Sequence, residues 1–439
     1  MKPTVLFMLP FILMMIATQS ALPQQQPHVL RGASLIPIVG QPIENGALVV
    51  LNRKIVAVGK SAEVASPQGA VEHDVSGKVI MPGLVDTHSH IGRVEGGDRS
   101  ATLHPDVRVL DAVDVRHNSI QRARAGGITT VNIMPGSGHL MSGQTVYVKL
   151  RDGHTIEDLL YCEDPQNGIC GGMKMANGTN SLRDEKPFSG TRAKSAAMVR
   201  QLYVKAQEYQ KKIATAAATP EKMPERNLEM EALVQVLEGK RIVHHHTHRH
   251  DDIMTVLRLA KEFGFRVVIQ HGSEASKVAE EIAAAGVPCS IIVIDSPGGK
   301  LEAINLNYET GAILEKAGVD VAFHTDDYIT DSRLFLRSAA FGVRAGMSRA
   351  KALEALTLAG ARMLDLSDRI GSLEKGKDAD FIVLSGDPLS VYTHVEQTWV
   401  EGELLFDRSN PEHRRYAVGD YGVFPQSNHI DFHGEGGDE

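Results

Sequence analysis

The chain has 439 residues, with 46 Lys and Arg against 54 Asp and Glu for a formal net charge of −8, and 42% of its residues are hydrophobic. That length supplies one large core or two ordinary ones, and the mild acidity excludes a phosphate-neutralising surface, so no nucleic-acid partner is expected. Three cysteines exclude a disulfide scaffold or a Cys-rich zinc module, whereas the meaning of the 19 histidines depends on where they fall.

At the N-terminus Lys2 precedes an apolar run, Val5 to Ala17, and small residues at Ser20 and Ala21. A charged start, a short apolar stretch and a small-residue exit predict a cleaved secretory signal over residues 1–21, hence a secreted or periplasmic protein. Pro10 and Gln24 to Gln26 leave the run short of the roughly 20 apolar residues of a spanning helix, so no membrane contact is expected after cleavage. No Cys follows the run for lipid attachment. Export permits disulfides: Cys162 and Cys170 bracket a turn-rich segment that can close a small loop, while Cys289, in an apolar run, reads as a buried thiol.

Residues 28–81 hold short β-rich runs, with ALVVLNRKIVAVG reading as a hairpin about Asn52, Arg53 and Lys54. A similar texture returns over 376–410, and the two ends are expected to pair into one small β-sandwich domain. Between them, strand candidates fall at Val79 to His88, Thr129 to Met134, Met173 to Met175, Arg241 to His246, Arg266 to His271, Cys289 to Ile294 and Val319 to Thr325. Helical periodicity follows several of them, as in Asp251 to Phe263 and Ala275 to Ala285. Continuously apolar strands alternating with helices indicate a parallel sheet buried on both faces. The structural rival is a doubly wound fold, but no G-x-G-x-x-G opens a helix after a strand and no phosphate-binding loop is present. The expected class is therefore α/β: a distorted (β/α)8 TIM barrel over 82–375, the composite sandwich, and a surface-draped tail over 411–439.

Chemistry gathers at the ends of those strands. In PGLVDTHSH, His88 and His90 point to the same face of a strand and can converge on one ion. His recurs at the end of RIVHHHTHRH, at His271 in VVIQH, and with acids in AFHTDD. In a barrel the C-terminal strand ends share one rim, so these residues are expected to meet. Each His alone reads as a core or loop histidine; together they indicate a metal centre.

These motifs, with AGGITTVNIMPGSGHLMSGQ, GMKMANGTN and the closing IGSLEKGKDADFIVLSGDP, resemble a metal-dependent hydrolase of the amidohydrolase superfamily, in its imidazolonepropionase-like and prolidase-like branch. The resemblance implies metal ligands at His88, His90, His246, His271 and Asp326. His246 best matches the fifth-strand ligand, with His244 and His245 leaving the assignment within the run open. Lys174 matches a strand-four lysine that, carbamylated, bridges two ions; read as an ordinary salt-bridged lysine it leaves a site for one. The implied cofactor is a divalent metal, zinc first, as one or two ions. Asp326 is the expected proton shuttle and His248 an oxyanion donor, with His139, Gln144 and Arg192 as substrate contacts. Arg192 reads equally as a solvated charge at a helix start. The expected partners are a small molecule with a C–N bond to hydrolyse and further copies of the chain in a homo-oligomer. The rival readings are a mononuclear deaminase or cyclic-amide hydrolase of the same superfamily, and a non-catalytic metal-binding protein.

Overall fold

The computed structural model describes residues 26–419, except 95, 167, 217–218, 293–300 and 328, so the predicted signal and residues 420–439 of the tail lie outside the described residues. In chain order the strands are β1 (His28–Leu35), β2 (Ile43–Leu51), β3 (Lys54–Lys60), β4 (Val71–Asp74), β5 (Val79–Pro82), β6 (Leu84–Ser89), β7 (Ile128–Ile133), β8 (Met141–Gln144), β9 (Val146–Lys149) and β10 (Met173–Ala176). There follow β11 (Val243–Thr247), β12 (Val267–His271), β13 (Cys289–Ile291), β14 (Val321–Phe323), β15 (Phe381–Leu384), β16 (Val395–Val400) and β17 (Glu403–Asp407).

The two ends of the chain share one eight-stranded sheet, ordered β17-β16-β15-β5-β1-β2-β3 with β4 on β1. The β2–β3 hairpin turns through Asn52 and Arg53, whose positive φ values of 50° and 67° give the left-handed pair that suits the twist of the strands. The far end enters where β15 lies antiparallel to β5, with Phe381 opposite Pro82. Leu30, Leu48, Ile55, Ile80, Phe381 and Trp399 form the core of this sheet. Phe381 and Trp399 face each other across β15 and β16 with stacked rings 5.4 Å apart, a pair of the kind that contributes about 0.2–1 kcal/mol.

The middle of the chain forms a strand array with helices outside it. Strands β10 to β14 are parallel and consecutive, and β6 pairs parallel with β7. The place between β7 and β10 departs from the all-parallel expectation. One extended run, Met141 to Lys149, fills it, antiparallel to β10 through β8 and to β7 through β9. The cause is the connection: residues 134–140 join β7 to β8, and a parallel return needs a dozen or more. No ladder joins β14 to β6 among the described residues. Instead Asp86 on β6 accepts from the Thr325 amide (3.0 Å) and hydroxyl, and the Asp326 amide donates to the His88 carbonyl (2.9 Å).

The helix His250–Phe263 shows why the outer layer forms. Ile253, Val256, Leu257 and Leu259 make one buried stripe, and Gly264, at φ 73°, ends the helix by donating to the Ala260 carbonyl. Cys162 and Cys170 are joined in a disulfide and Cys289 is a buried free thiol. The tail begins as a helix, Pro411–Val418, capped by Asn410 and packed on the helix Asn118–Ala125. Among the described residues no helix is long and apolar enough to cross a membrane.

Candidate metal centre

Strand alternation puts Asp86, His88 and His90 on one face at the end of β6. The His90 Nδ1–H donates to the Met134 carbonyl (2.8 Å), which fixes the ring so that Nε2 faces Asp326 Oδ1 at 3.0 Å. His88 Nε2 lies 3.3 Å from the same oxygen, and His271 Nδ1 lies 3.9 Å from Asp326 Oδ2. His271 and Asp326 both have left-handed backbones, with φ of 72° and 49°. Such a conformation costs about 1–3 kcal/mol in a residue other than glycine and persists where the surroundings enforce it. Here it stands at two strand ends whose side chains meet at one point.

Burial is the largest influence on the ring nitrogens of His88 and His271 and holds both well below the ordinary histidine range, so these rings are neutral. Burial acts to raise the Asp326 carboxyl, but the adjacent His88, His271 and His90 outweigh it and hold it well below the usual carboxylate range. Neutral imidazole with carboxylate is the ligand form and type that zinc and similar ions take.

The His run on β11 divides by face. His244 is committed on both nitrogens, to the Tyr147 hydroxyl (2.8 Å) and Gln270 Nε2 (3.2 Å). His245, on the opposite face, donates from Nδ1 to the His246 carbonyl (3.0 Å) and lines a cavity of 510 Å³ with Arg192 and Asp252. His246 is the one whose ring stands against His271, at 4.4 Å between centroids, and against His248, at 4.7 Å. His248 is oriented by Ser273 Oγ, 2.7 Å from its Nδ1.

Lys174 is fully buried on β10, its Nζ 3.0 Å from His88 Nε2 and 3.2 Å from Met134 Sδ. His139 is buried between His104 and Phe188, with neither ring nitrogen hydrogen-bonded. Burial, and then the neighbouring His104, lowers its pKa to about 4. Gln144 donates to the Pro105 carbonyl (3.0 Å) and lines a second cavity, of 540 Å³, with Arg108, Arg226 and Arg241. Arg192 does start a helix, Arg192–Ala216, and its Nε donates to both oxygens of Asp252 at 2.9 and 3.1 Å. The arrangement thus gathers His88, His90, His271, Asp326 and Lys174, sets His246 and His248 beside His271, and turns Gln144 and Arg192 toward other partners.

Three residues at this rim were not expected. Asp86 holds Thr325, and burial pushes its carboxyl up to about 7. His324 Nε2 lies 3.0 Å from His271 Nδ1, and its Nδ1 is 2.9 Å from Ser290 Oγ, which in turn is 2.6 Å from Thr87 Oγ1. Glu302 lies buried 3.9 Å from His246 Nε2. Parity along the strand was a usable signal for Asp86, which precedes His88 by two residues on β6, whereas His324 and Asp326 lie past the end of β14 at Phe323. Glu302 stands in the connection between β13 and β14, where no periodicity points inward.

A divalent ion fits these residues: His88 Nδ1 and His271 Nε2 are buried without a hydrogen-bond partner. Three sets have ligand atoms within 4.8 Å of one another: His88, His90 and Asp326; His88, His271 and His324; and His246, His248 and Glu302.

Comparison with known proteins agrees with this chemistry. A solved amidohydrolase from Thermotoga maritima MSB8 is 34% identical and superimposes with a TM-score of 0.81 over 87% of this chain and 100% of its own. The amidohydrolase tasK of Hapsidospora irregularis is 26% identical over 83% of this chain, which spans only 39% of that longer relative. An imidazolonepropionase from Erwinia tasmaniensis is 24% identical over 77% of this chain and 86% of its own length. The profile of the Amidohydrolase family matches residues 79–405, and the chain belongs to this family of hydrolases acting on C–N bonds.

Proposed function

We propose that the protein is an exported, metal-dependent amidohydrolase that cleaves an amide or peptide-like C–N bond of a small substrate such as a dipeptide, an N-acyl amino acid or a cyclic amide. In this reading the strand array closes as a (β/α)8 barrel and the composite sheet forms a separate sandwich domain. The observation that carries the reading is Asp326, held ionised in a left-handed backbone with one oxygen 3.0 Å from His90 and 3.3 Å from His88. His88, His90, His271 and Asp326, with Lys174 and His246 beside them, would hold a divalent ion, zinc first, which when bound would make hydroxide available at neutral pH and polarise the scissile carbonyl. Asp326 takes up a proton from the attacking water and returns it to the departing nitrogen, a transfer that contributes roughly two to four powers of ten in rate. His248, oriented by Ser273, donates to the developing oxyanion. His139, with free ring nitrogens, is the best-placed substrate contact among those expected from sequence. The disulfide between Cys162 and Cys170 and the apolar run at residues 5–17 support export.

The test is a screen of the three amide classes with zinc- or manganese-loaded protein, repeated with Asp326→Asn. Loss of turnover by roughly 100-fold or more with a retained fold is expected. Full metal content and full turnover in that variant would remove Asp326 as the proton shuttle, metal binding with no turnover of any of the three classes by the wild type would make the site a metal store, and ammonia release without amide cleavage would indicate a deaminase.

A further inference from the structure

The composite sheet brings together two histidines that play no part at the rim. His28 opens β1 and His73 stands on β4, which runs parallel to β1 with His28 opposite Val71 and Leu30 opposite His73. Residues two apart on a strand share a face, so both rings stand on the face that carries Leu30 into the core of the sheet. There His28 Nδ1 lies 2.9 Å from His73 Nε2, with the ring centroids 5.2 Å apart. Trp399 on β16 meets both rings in T-shaped contacts, its centroid 5.3 Å from His28 and 5.5 Å from His73. The indole is fully buried and the two histidines only partly, so the pair has a core side against Trp399 and an open side toward solvent.

Burial lowers the pKa of both rings, and His28 lowers that of His73 further, so both are neutral at neutral pH and one N–H serves the contact between them. Neutral imidazole is the form that binds metal. Two nitrogens 2.9 Å apart subtend about 90° at an ion about 2.0 Å from each. That is the angle between adjacent ligands of a square-planar or tetragonal centre, the geometry of Cu(II) and Ni(II), and it is narrower than a tetrahedral zinc site uses. We propose that His28 and His73 form a separate site for a divalent ion of square-planar preference, Cu(II) first. The ion takes His28 Nδ1 and His73 Nε2 in adjacent positions and water in the others. The shared proton passes to the other nitrogen of the donor ring, so both rings stay neutral and none is lost. A tilt of the rings toward their open side brings both lone pairs onto the ion. Copper leads because it binds nitrogen sites most tightly among the divalent first-row metals. The site shares no residue with the rim and depends on no reading of the reaction there.

Trp399 supplies the readout, because it is the only tryptophan of the chain and Cu(II) quenches indole fluorescence at short range. The full chain, loaded with zinc beforehand, is titrated with Cu(II) while the indole emission is followed, and the copper EPR spectrum is recorded on the same samples. Saturable quenching at stoichiometric copper is expected, with nitrogen hyperfine structure from two imidazoles. His73→Asn and, separately, His28→Asn should weaken the apparent dissociation constant at least about tenfold, since losing a ligand should cost no less than losing a residue that supports one. His90→Asn should leave it unchanged. Unchanged quenching and EPR spectra in His28→Asn and His73→Asn overturn the site, as does quenching lost in His90→Asn, which would put the copper at the rim. Where a substitution alters the indole emission before copper is added, the EPR spectrum decides, because it reports the nitrogen ligands directly.

Discussion

Two buried polar clusters lie close in character and opposite in state. Where the strand array meets the composite sheet, Lys149 on β9 is fully buried yet ion-paired with Asp378, with Asp380 at 3.0 Å and with Glu401 at 3.2 Å, while Arg151 reaches Glu401 at 2.9 Å. At the strand-end rim, buried nitrogens of His88, His139 and His271 lack hydrogen-bond partners. Taking polar groups from water costs free energy unless partners replace the water. The junction recovers that cost within the chain and so reads as architecture. The rim recovers it only when an ion or substrate arrives, which is what a functional site looks like before binding.

The comparison is broken most severely by removing the cation of the junction. Lys149→Met removes the one cation paired with Asp380 among the described residues while Asp378 keeps Lys54 and Arg369 and Glu401 keeps Arg151, and the change should cost about 3 kcal/mol in urea unfolding. The loss should be the same with and without metal, because the junction and the rim share no residue in the pairs described. Removing the metal is the next largest effect. A chelator should lower the unfolding free energy by about 2.7 kcal/mol relative to protein with free metal at roughly a hundredfold above its dissociation constant. Equal thermal unfolding with and without chelator would mean that no ion completes the rim.

The smallest effect concerns acid. Burial acts to raise the carboxyls of Asp378 and Glu401, but Lys149 with Lys54 and Arg369 at Asp378, and Arg151 with Lys149 at Glu401, outweigh it and hold both at about 2. A folded-state pKa below the unfolded value gives stability that is fully present above the unfolded pKa and lost as pH falls. Stability should therefore decline as pH falls from about 4.5 to 2. Denaturation measured across that range should show the decline in the wild type and a shallower one in Lys149→Met. Equal slopes would detach the acid sensitivity from Lys149.

Much of the architecture was legible because strands announce themselves by local composition. The β2–β3 hairpin, the apolar strands ending in His88, His246 and His271, and the return of the far end beside β5 rest on patterns a few residues long. The antiparallel run at Met141 to Lys149 was missed because its signal is the shortness of a connection, not the character of a strand. At the rim, Asp86 shares β6 with His88 and was within reach of a parity rule, and His324 stands beside Asp326 in the AFHTDD run. Glu302 was not, since it arrives from a loop whose direction only the folded chain determines. Gln144 and Arg192 teach the converse: chemistry suited to a substrate was already engaged by the Pro105 carbonyl and by Asp252.

The most direct test of the rim as a metal centre is an anomalous difference map from crystals grown with zinc. A peak about 2.0–2.2 Å from His88, His90 and Asp326 is predicted. An absence of density there, in crystals whose zinc binds elsewhere or not at all, would contradict it.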